Sequence, residues 1–191
     1  LAENLSDQQT LDRIKKVKPK NLIFVVYGQN VNAGTTNMSG ATRLSNYIKQ
    51  NCDIRISYIG SHVQALPIET LKKEKSIDIV FTNEGVYALK NLLKENISFR
   101  EYYKIKGIAF RDLDNNIKMN LPEKIVPQDK MDTDLPGYAW DLLPFKNKPF
   151  DLYKAPMWHA EYNTENRSPY AAIQTSLGCQ FGCNFCMINI I

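Results

Sequence analysis

Short runs of β-branched and aromatic residues alternate with segments of helical period through the first 120 residues, and this alternation restricts the fold more than any other feature of the chain. NLIFVVY (21–27) is a continuous apolar run of the kind found in strands buried on both faces. DIRISYIG (53–60), IDIVFT (77–82) and KIKGIAFRD (104–112) are further strands by the same criterion. Between them lie helical segments. SDQQ at Ser6 is a capping-box pattern, after which Leu11 and Ile14 recur at helical spacing. SGATRLSNYIKQ, with Ser39 as cap, presents Ala41, Leu44, Tyr47 and Ile48 on one face. ETLKKEK is a short helix, and VYALKNLLKE turns Val86, Leu89, Leu92 and Leu93 inward. LDNN before IKMN predicts a small terminal hairpin.

Strands and helices in this order predict βαβ units, and hence an α/β fold: a doubly wound, mostly parallel, Rossmann-like sheet. Ligands of such sheets sit beyond the carboxyl ends of the strands. The loops concerned are GQNVNAGTT, GSHVQALP and NEG, all polar and glycine-bearing. No GxGxxG follows a strand and no Walker sequence occurs, so neither a dinucleotide nor a nucleoside triphosphate is indicated. The chain opens on a helix with no strand before it, so the domain is expected to be N-terminally incomplete.

With 191 residues, the chain has room for one well-buried domain and an appendage. Hydrophobic residues at 43% and charged residues at 23% exclude general disorder. The net charge of +4 comes from scattered lysines, so nucleic acid is not expected as a partner. No apolar run reaches the roughly 18–20 residues of a membrane span and no signal peptide is evident, which predicts a cytoplasmic protein.

From 121 to 169 the alternation stops, and seven of the nine prolines fall there. Tyr138, Trp140, Leu142, Leu143, Phe145, Phe150, Tyr153 and Trp158 give this linker too much apolar surface for a free tether, so it is expected to pack across a domain boundary. His159, alone among aromatics, is read as a packing residue. PYAAIQTSLG (169–178) then reads as a strand, followed by three cysteines, Cys179, Cys183 and Cys186, in the pattern CxxxCxxC.

Three chemistries compete for those thiols. Zinc normally takes four ligands, and there is no second CxxC pair. A Cys183–Cys186 redox pair leaves Cys179 idle. A four-iron cluster held by three thiolates keeps one iron with an open coordination position. The pattern, on a loop after a first barrel strand, resembles the radical SAM superfamily. That resemblance implies that Cys179, Cys183 and Cys186 hold a 4Fe-4S cluster, that S-adenosylmethionine chelates the fourth iron, and that its reductive cleavage yields a 5′-deoxyadenosyl radical. Phe185 matches the aromatic that precedes the third cysteine and lies near the adenine. Gly178 and Gly182 would let the loop wrap closely.

IGSHVQALPIETL, SIDIVFTNEGVYALKNLL, KIKGIAFRD and DLPGYAWDLLP extend the resemblance to the cobalamin-binding domain and linker of cobalamin-dependent radical SAM enzymes, the group that includes the anaerobic magnesium-protoporphyrin cyclase. Residues 1–120 then correspond to a cobalamin-binding α/β domain, 121–169 to the interdomain linker, and 170–191 to the first strand and cluster loop of a truncated α/β barrel. Gly60, Ser61, His62, Leu66 and Pro67 fall on the family's glycine-and-histidine loop, and Glu84 with Gly85 on its glutamate-glycine turn. Asn83 and Val86 depart from that turn, where glycine and glutamate are usual. There is no DxHxxG, so cobalamin is expected without a histidine from that motif on cobalt. Gly28, Asn30, Asn32, Thr35 and Thr36 are candidates for contacts to the corrin amides or for closing the first loop. Cys52 is read as an inert structural thiol.

The function implied is radical methyl transfer, or a related rearrangement, on a small-molecule substrate, with cobalamin and S-adenosylmethionine as cofactors and a flavodoxin or ferredoxin as electron donor. As a fragment the chain is not expected to turn over alone. The alternatives are a methylthiotransferase-like modifier of RNA or protein, which would carry more N-terminal cysteines than Cys52, and a non-catalytic cobalamin module with a zinc site.

Overall fold

The computed structural model describes residues 5–28, 31–94, 99–135, 137–142 and 181–184. Helix α1 (Asp7–Val17) begins at the expected capping box: the Ser6 hydroxyl accepts from the Gln9 amide at 3.2 Å, and the Ser6 amide donates to the Gln9 side chain at 2.9 Å. Its two inward residues, Leu11 and Ile14, are buried. Strands β1 (Asn21–Val25), β2 (Arg55–Ile59) and β3 (Ile79–Phe81) pair in parallel. Strand β4 (Ile108–Arg111) joins β3 antiparallel, and β5 (Ile117–Met119) joins β4 antiparallel as the expected hairpin. The sheet order is β1-β2-β3-β4-β5.

The sheet is therefore mixed, where the sequence predicts one that is mostly parallel. Helix α5 (Val86–Lys94) leads away from the carboxyl end of β3, and a 3₁₀ turn (Phe99–Lys104) with Tyr102 and Ile105 then packs over the same face of the sheet. That second passage delivers Gly107 beside Thr82, whose amide donates to the Gly107 carbonyl at 2.9 Å. Strand β4 thus starts where β3 stops and has to run the other way. Among the described residues no barrel strand is present, and PYAAIQTSLG lies outside them.

Alternation of side chains across each strand divides the core in two. On one face Ile56, Tyr58, Val80 and Ala109 meet α1, α2 (Val31–Asn51), α3 (Ser61–Ala65) and α4 (Pro67–Lys73). On the other Ile59, Ile79, Phe81, Ile108 and Phe110 meet Ala88 and Leu92 of α5 and the buried Tyr102. Strand β1 is only half-buried, contrary to the expectation of burial on both faces. It has a neighbour along one edge, and the second helical layer covers β3 and β4 instead, which leaves Val25 66% exposed.

Two helical details also differ. Helix α2 starts at Val31, eight residues before the Ser39 expected to cap it, and Ser39 instead bonds the Thr36 carbonyl within the helix. In α5, Leu93 points outward at 54% exposure while Ala88 takes the inner position. No helix among the described residues is long and apolar enough to cross a membrane.

Candidate functional site

The carboxyl ends of β1, β2 and β3 lie side by side, so the segments that follow them share one rim. Beyond β1 the Val26 amide still donates to the Ile59 carbonyl at 2.7 Å, Tyr27 is 45% exposed, and Gly28 lies close against Ala33 of α2. Beyond β2, Gly60 takes φ 153° and ψ 167°, a conformation essentially reserved for glycine. Its α-carbon packs against the Val26 carbonyl, where an added Cβ would stand 2.0 Å from the oxygen. This turn starts α3 at once, so GSHVQALP is helix α3 leading into the start of α4 at Pro67 instead of an open loop.

Helix α3 supplies the polar side chains of the rim. Nδ1 of His62 lies 3.1 Å from the Thr35 hydroxyl in the second turn of α2, joining two of the segments singled out in the sequence. Ser61 is 5% exposed, and its Oγ lies 2.3 Å from where a Cβ on Gly34 would sit. Gln64, one turn further on, is 7% exposed and donates to the Tyr27 hydroxyl at 3.5 Å. Burial pushes the Tyr27 phenol above its ordinary range, the Gln64 bond opposes this, and the charge of Glu84 adds to it. Tyr27, Gly34 and Gln64 escape sequence reasoning. The only signal for Gln64 is an amide set among the apolar residues of a helix that reads as a loop.

Beyond β3, Asn83 and Glu84 hold the chain that leaves β5. The Asn83 side chain accepts from the Gly85 amide at 2.9 Å and donates to the Glu123 carbonyl at 2.9 Å. One Glu84 carboxylate oxygen accepts from the Val126 amide at 3.0 Å. Asn83 thus does work that glycine cannot: it closes the turn and anchors the segment from 121 onward. Asn91 reaches the Glu123 carboxylate at 3.3 Å, and the Tyr87 hydroxyl donates to Asp134 at 2.6 Å, so residues 121–134 lie along α5. Further on, Tyr138 and Trp140 stack on each other at 5.1 Å, while Leu142 is 77% exposed.

The Tyr87–Asp134 bond makes this attachment pH-dependent. The hydrogen bond to Asp134 is the main cause that pushes the Tyr87 phenol up to about 12, and the same bond, with Lys90 behind it, lowers the Asp134 carboxyl. A depressed carboxyl contributes above its ordinary range and is lost as pH falls through the lowered value. A raised phenol contributes below its ordinary value and is lost as pH rises through about 12. Asp134→Asn should return the phenol, followed by its ultraviolet absorbance, from about 12 toward 10. A phenol unmoved by that change would assign the shift to burial.

Asn30, Phe185, Cys179, Cys186 and His159 lie outside the described residues, and Asn32 is described only as part of the α2 backbone. Cys183 is described, as an exposed free thiol, next to Gly182 and a 64% exposed Phe181. Cys52, half-buried, packs against the core cluster at the end of α2. Among the described residues no three His, Cys, Asp or Glu side chains gather as a metal site.

No protein-family model matches the chain. An uncharacterized methyltransferase of Pyrococcus horikoshii is 28% identical over 191 residues, a match covering 100% of this chain and 36% of that protein. The chain thus spans just over a third of its relative's length. Among solved structures, the cobalamin-dependent S-adenosylmethionine radical enzyme OxsB with aqua-cobalamin bound matches 70% of this chain and 19% of its own, at 16% identity and a TM-score of 0.46. The same enzyme with S-adenosylmethionine also bound gives a TM-score of 0.42 at 16% identity, again over 70% of this chain and 19% of its own.

Proposed function

We propose that the chain is part of a cobalamin-dependent radical SAM enzyme that performs radical methyl transfer or a related rearrangement. Residues 1–120 hold the corrinoid at the ends of β1, β2 and β3, residues 121–169 link to a barrel beginning at 170, and Cys179, Cys183 and Cys186 hold a four-iron cluster. The observation that carries this reading is a CxxxCxxC run in a chain whose N-terminal sheet gathers its polar and glycine residues at one strand-end rim. The designation of the Pyrococcus relative as a methyltransferase supports the reaction class.

The donor sets suit these groups. Three thiols within eight residues are soft ligands for iron, and two buried polar atoms on α3, Ser61 Oγ and Gln64 Oε1, have no hydrogen-bond partner among the described residues. When bound, a corrinoid supplies a transferable methyl group, and the cluster supplies the electron that cleaves S-adenosylmethionine. The chain's own residues bind and orient. Thr35 engages Nδ1 of His62 and leaves Nε2 for a ligand. Gly60 brings α3 against the end of β1, and Asn83 with Glu84 fixes the outgoing segment beside the rim.

The test is anaerobic incubation of the purified chain with hydroxocobalamin, removal of free corrinoid on a desalting column, and a visible spectrum of the protein fraction. Stoichiometric corrinoid absorbance is expected. A folded protein that emerges colourless would sink the corrinoid half of the proposal.

A further inference from the structure

We propose that Gln64, flanked by Tyr27 and Ser61, reads a neutral carboxamide of the bound ligand. The inference rests on the corrinoid reading of this rim, and it assigns to named residues a role in choosing among corrinoids.

The starting point is an unmet need. Gln64 is 7% exposed and Ser61 5% exposed, yet Gln64 Oε1 and Ser61 Oγ have no hydrogen-bond partner among the described residues. An unmade buried hydrogen bond costs on the order of 1–3 kcal/mol, whereas an apolar residue of similar shape costs little or nothing. Two such atoms one turn apart on a five-residue helix are a concentrated cost, located at the carboxyl ends of the strands. Val63, between them, takes the core position and is fully buried, so packing alone does not require polar residues here.

The existing bond of Gln64 is weak. Its Nε2 donates to the Tyr27 hydroxyl at 3.5 Å, the outer limit for a hydrogen bond, and Tyr27 is 45% exposed. Turning the amide over exchanges which end is satisfied without satisfying both. An incoming group can therefore replace Tyr27 at small cost and meet the full amide behind it. Gly34 lets α2 lie directly against Ser61, since a side chain there would stand on the Ser61 hydroxyl, so an incoming group reaches the pair from the Tyr27 side.

The chemistry of the set selects the ligand group. Gln, Tyr and Ser each donate and accept, as does a carboxamide. The charge of Glu84, which adds to the upward shift of the Tyr27 phenol, is negative and opposes a phosphate or carboxylate. Corrinoids carry carboxamides around the ring edge, and they are the groups an uncharged donor–acceptor cluster recognises.

The experiment compares two corrinoids that differ in this respect: cobinamide, whose side chains are amides, and heptamethyl cobyrinate, whose methyl esters accept but do not donate. Affinities come from visible titrations of wild type, Gln64→Leu and Gln64→Glu. Gln64→Leu should lose about tenfold for cobinamide, the equivalent of one or two hydrogen bonds, and clearly less for the ester, which accepts from Nε2 but has no N–H for Oε1. Gln64→Glu keeps an acceptor for the amide N–H and should fall between wild type and Gln64→Leu for cobinamide. The unliganded Gln64→Leu protein should unfold at the same temperature as wild type or higher, because an unsatisfied buried amide has been removed. Equal losses for both corrinoids, no loss for either, or a lowered unfolding temperature would overturn the assignment in favour of a structural or water-binding amide. Wild type that binds neither corrinoid overturns this inference together with the function on which it rests. Wild type that binds both equally, with variants unchanged, overturns this inference alone.

Discussion

Gly60→Ala should cost about 3 kcal/mol or more and lower the unfolding temperature by roughly 6–12 °C, whereas Gly40→Ala should raise stability by about 0.5–1 kcal/mol. Gly60 has φ 153°, and a Cβ there would meet the Val26 carbonyl oxygen at 2.0 Å. That carbonyl is backbone, next to the bond from the Val26 amide to Ile59, so it cannot move aside without opening the end of the β1–β2 ladder. Gly40 lies inside α2 with nothing within 4 Å of an added Cβ, so the gain in helix propensity meets no opposing contact. Urea unfolding of the two variants gives the comparison. A Gly60→Ala protein as stable as wild type would mean that the turn after β2 is not held as described. The same variant should also lose the His62–Thr35 contact, because α3 starts from that turn, so its corrinoid affinity should fall further than its stability alone accounts for.

The placing of Gly60 shows which parts of the chain are legible without coordinates. Hydrophobic patterning locates β1, β2 and β3 as short continuous apolar runs and α5 by its one apolar face, and Ser6 locates α1 because a cap is a local event. The first two turns of α2 do not announce themselves. Asn32, Gly34, Thr35 and Thr36 are weak helix formers, and they are helical because the end of β1 and α3 pack against them. The direction of β4 is invisible for a different reason: it depends on where the 3₁₀ turn around Tyr102 sets the chain down, which is a property of the sheet and not of FREYYK itself.

In the site, glycine and histidine stand out in GSHVQALP because their chemistry is unusual, while Gln64 does not, since an orphaned amide is defined by what surrounds it. Glu84 and Asn83 lie between these cases. The turn is recognisable, yet its hydrogen bonds run to Glu123 and Val126, some forty residues away, and no local pattern encodes them.

Cys183→Ser should remove all but a background amount of bound iron from protein reconstituted anaerobically with ferrous iron and sulfide, while Cys52→Ser should leave iron content unchanged. Thiolate, not hydroxyl, is the ligand that an iron–sulfur cluster requires, and a three-cysteine site has no spare. With Cys183 gone, Cys179 and Cys186 stand seven residues apart and supply two ligands, too few to hold four irons against chelation by solvent and buffer. Cys183 is free and exposed, so its thiolate is open to the metal during reconstitution. Cys52 sits half-buried against the core at the far end of α2, beyond reach of the rim. Metal analysis of the wild type decides between the chemistries open to these thiols. Iron with matching acid-labile sulfide, lost in Cys183→Ser and retained in Cys52→Ser, is the outcome required by the cluster. Tightly held zinc with no sulfide would overturn it, because zinc in a thiolate site needs neither sulfide nor an open coordination position. Iron retained by Cys183→Ser would show that the ligands lie elsewhere and that the CxxxCxxC spacing is incidental.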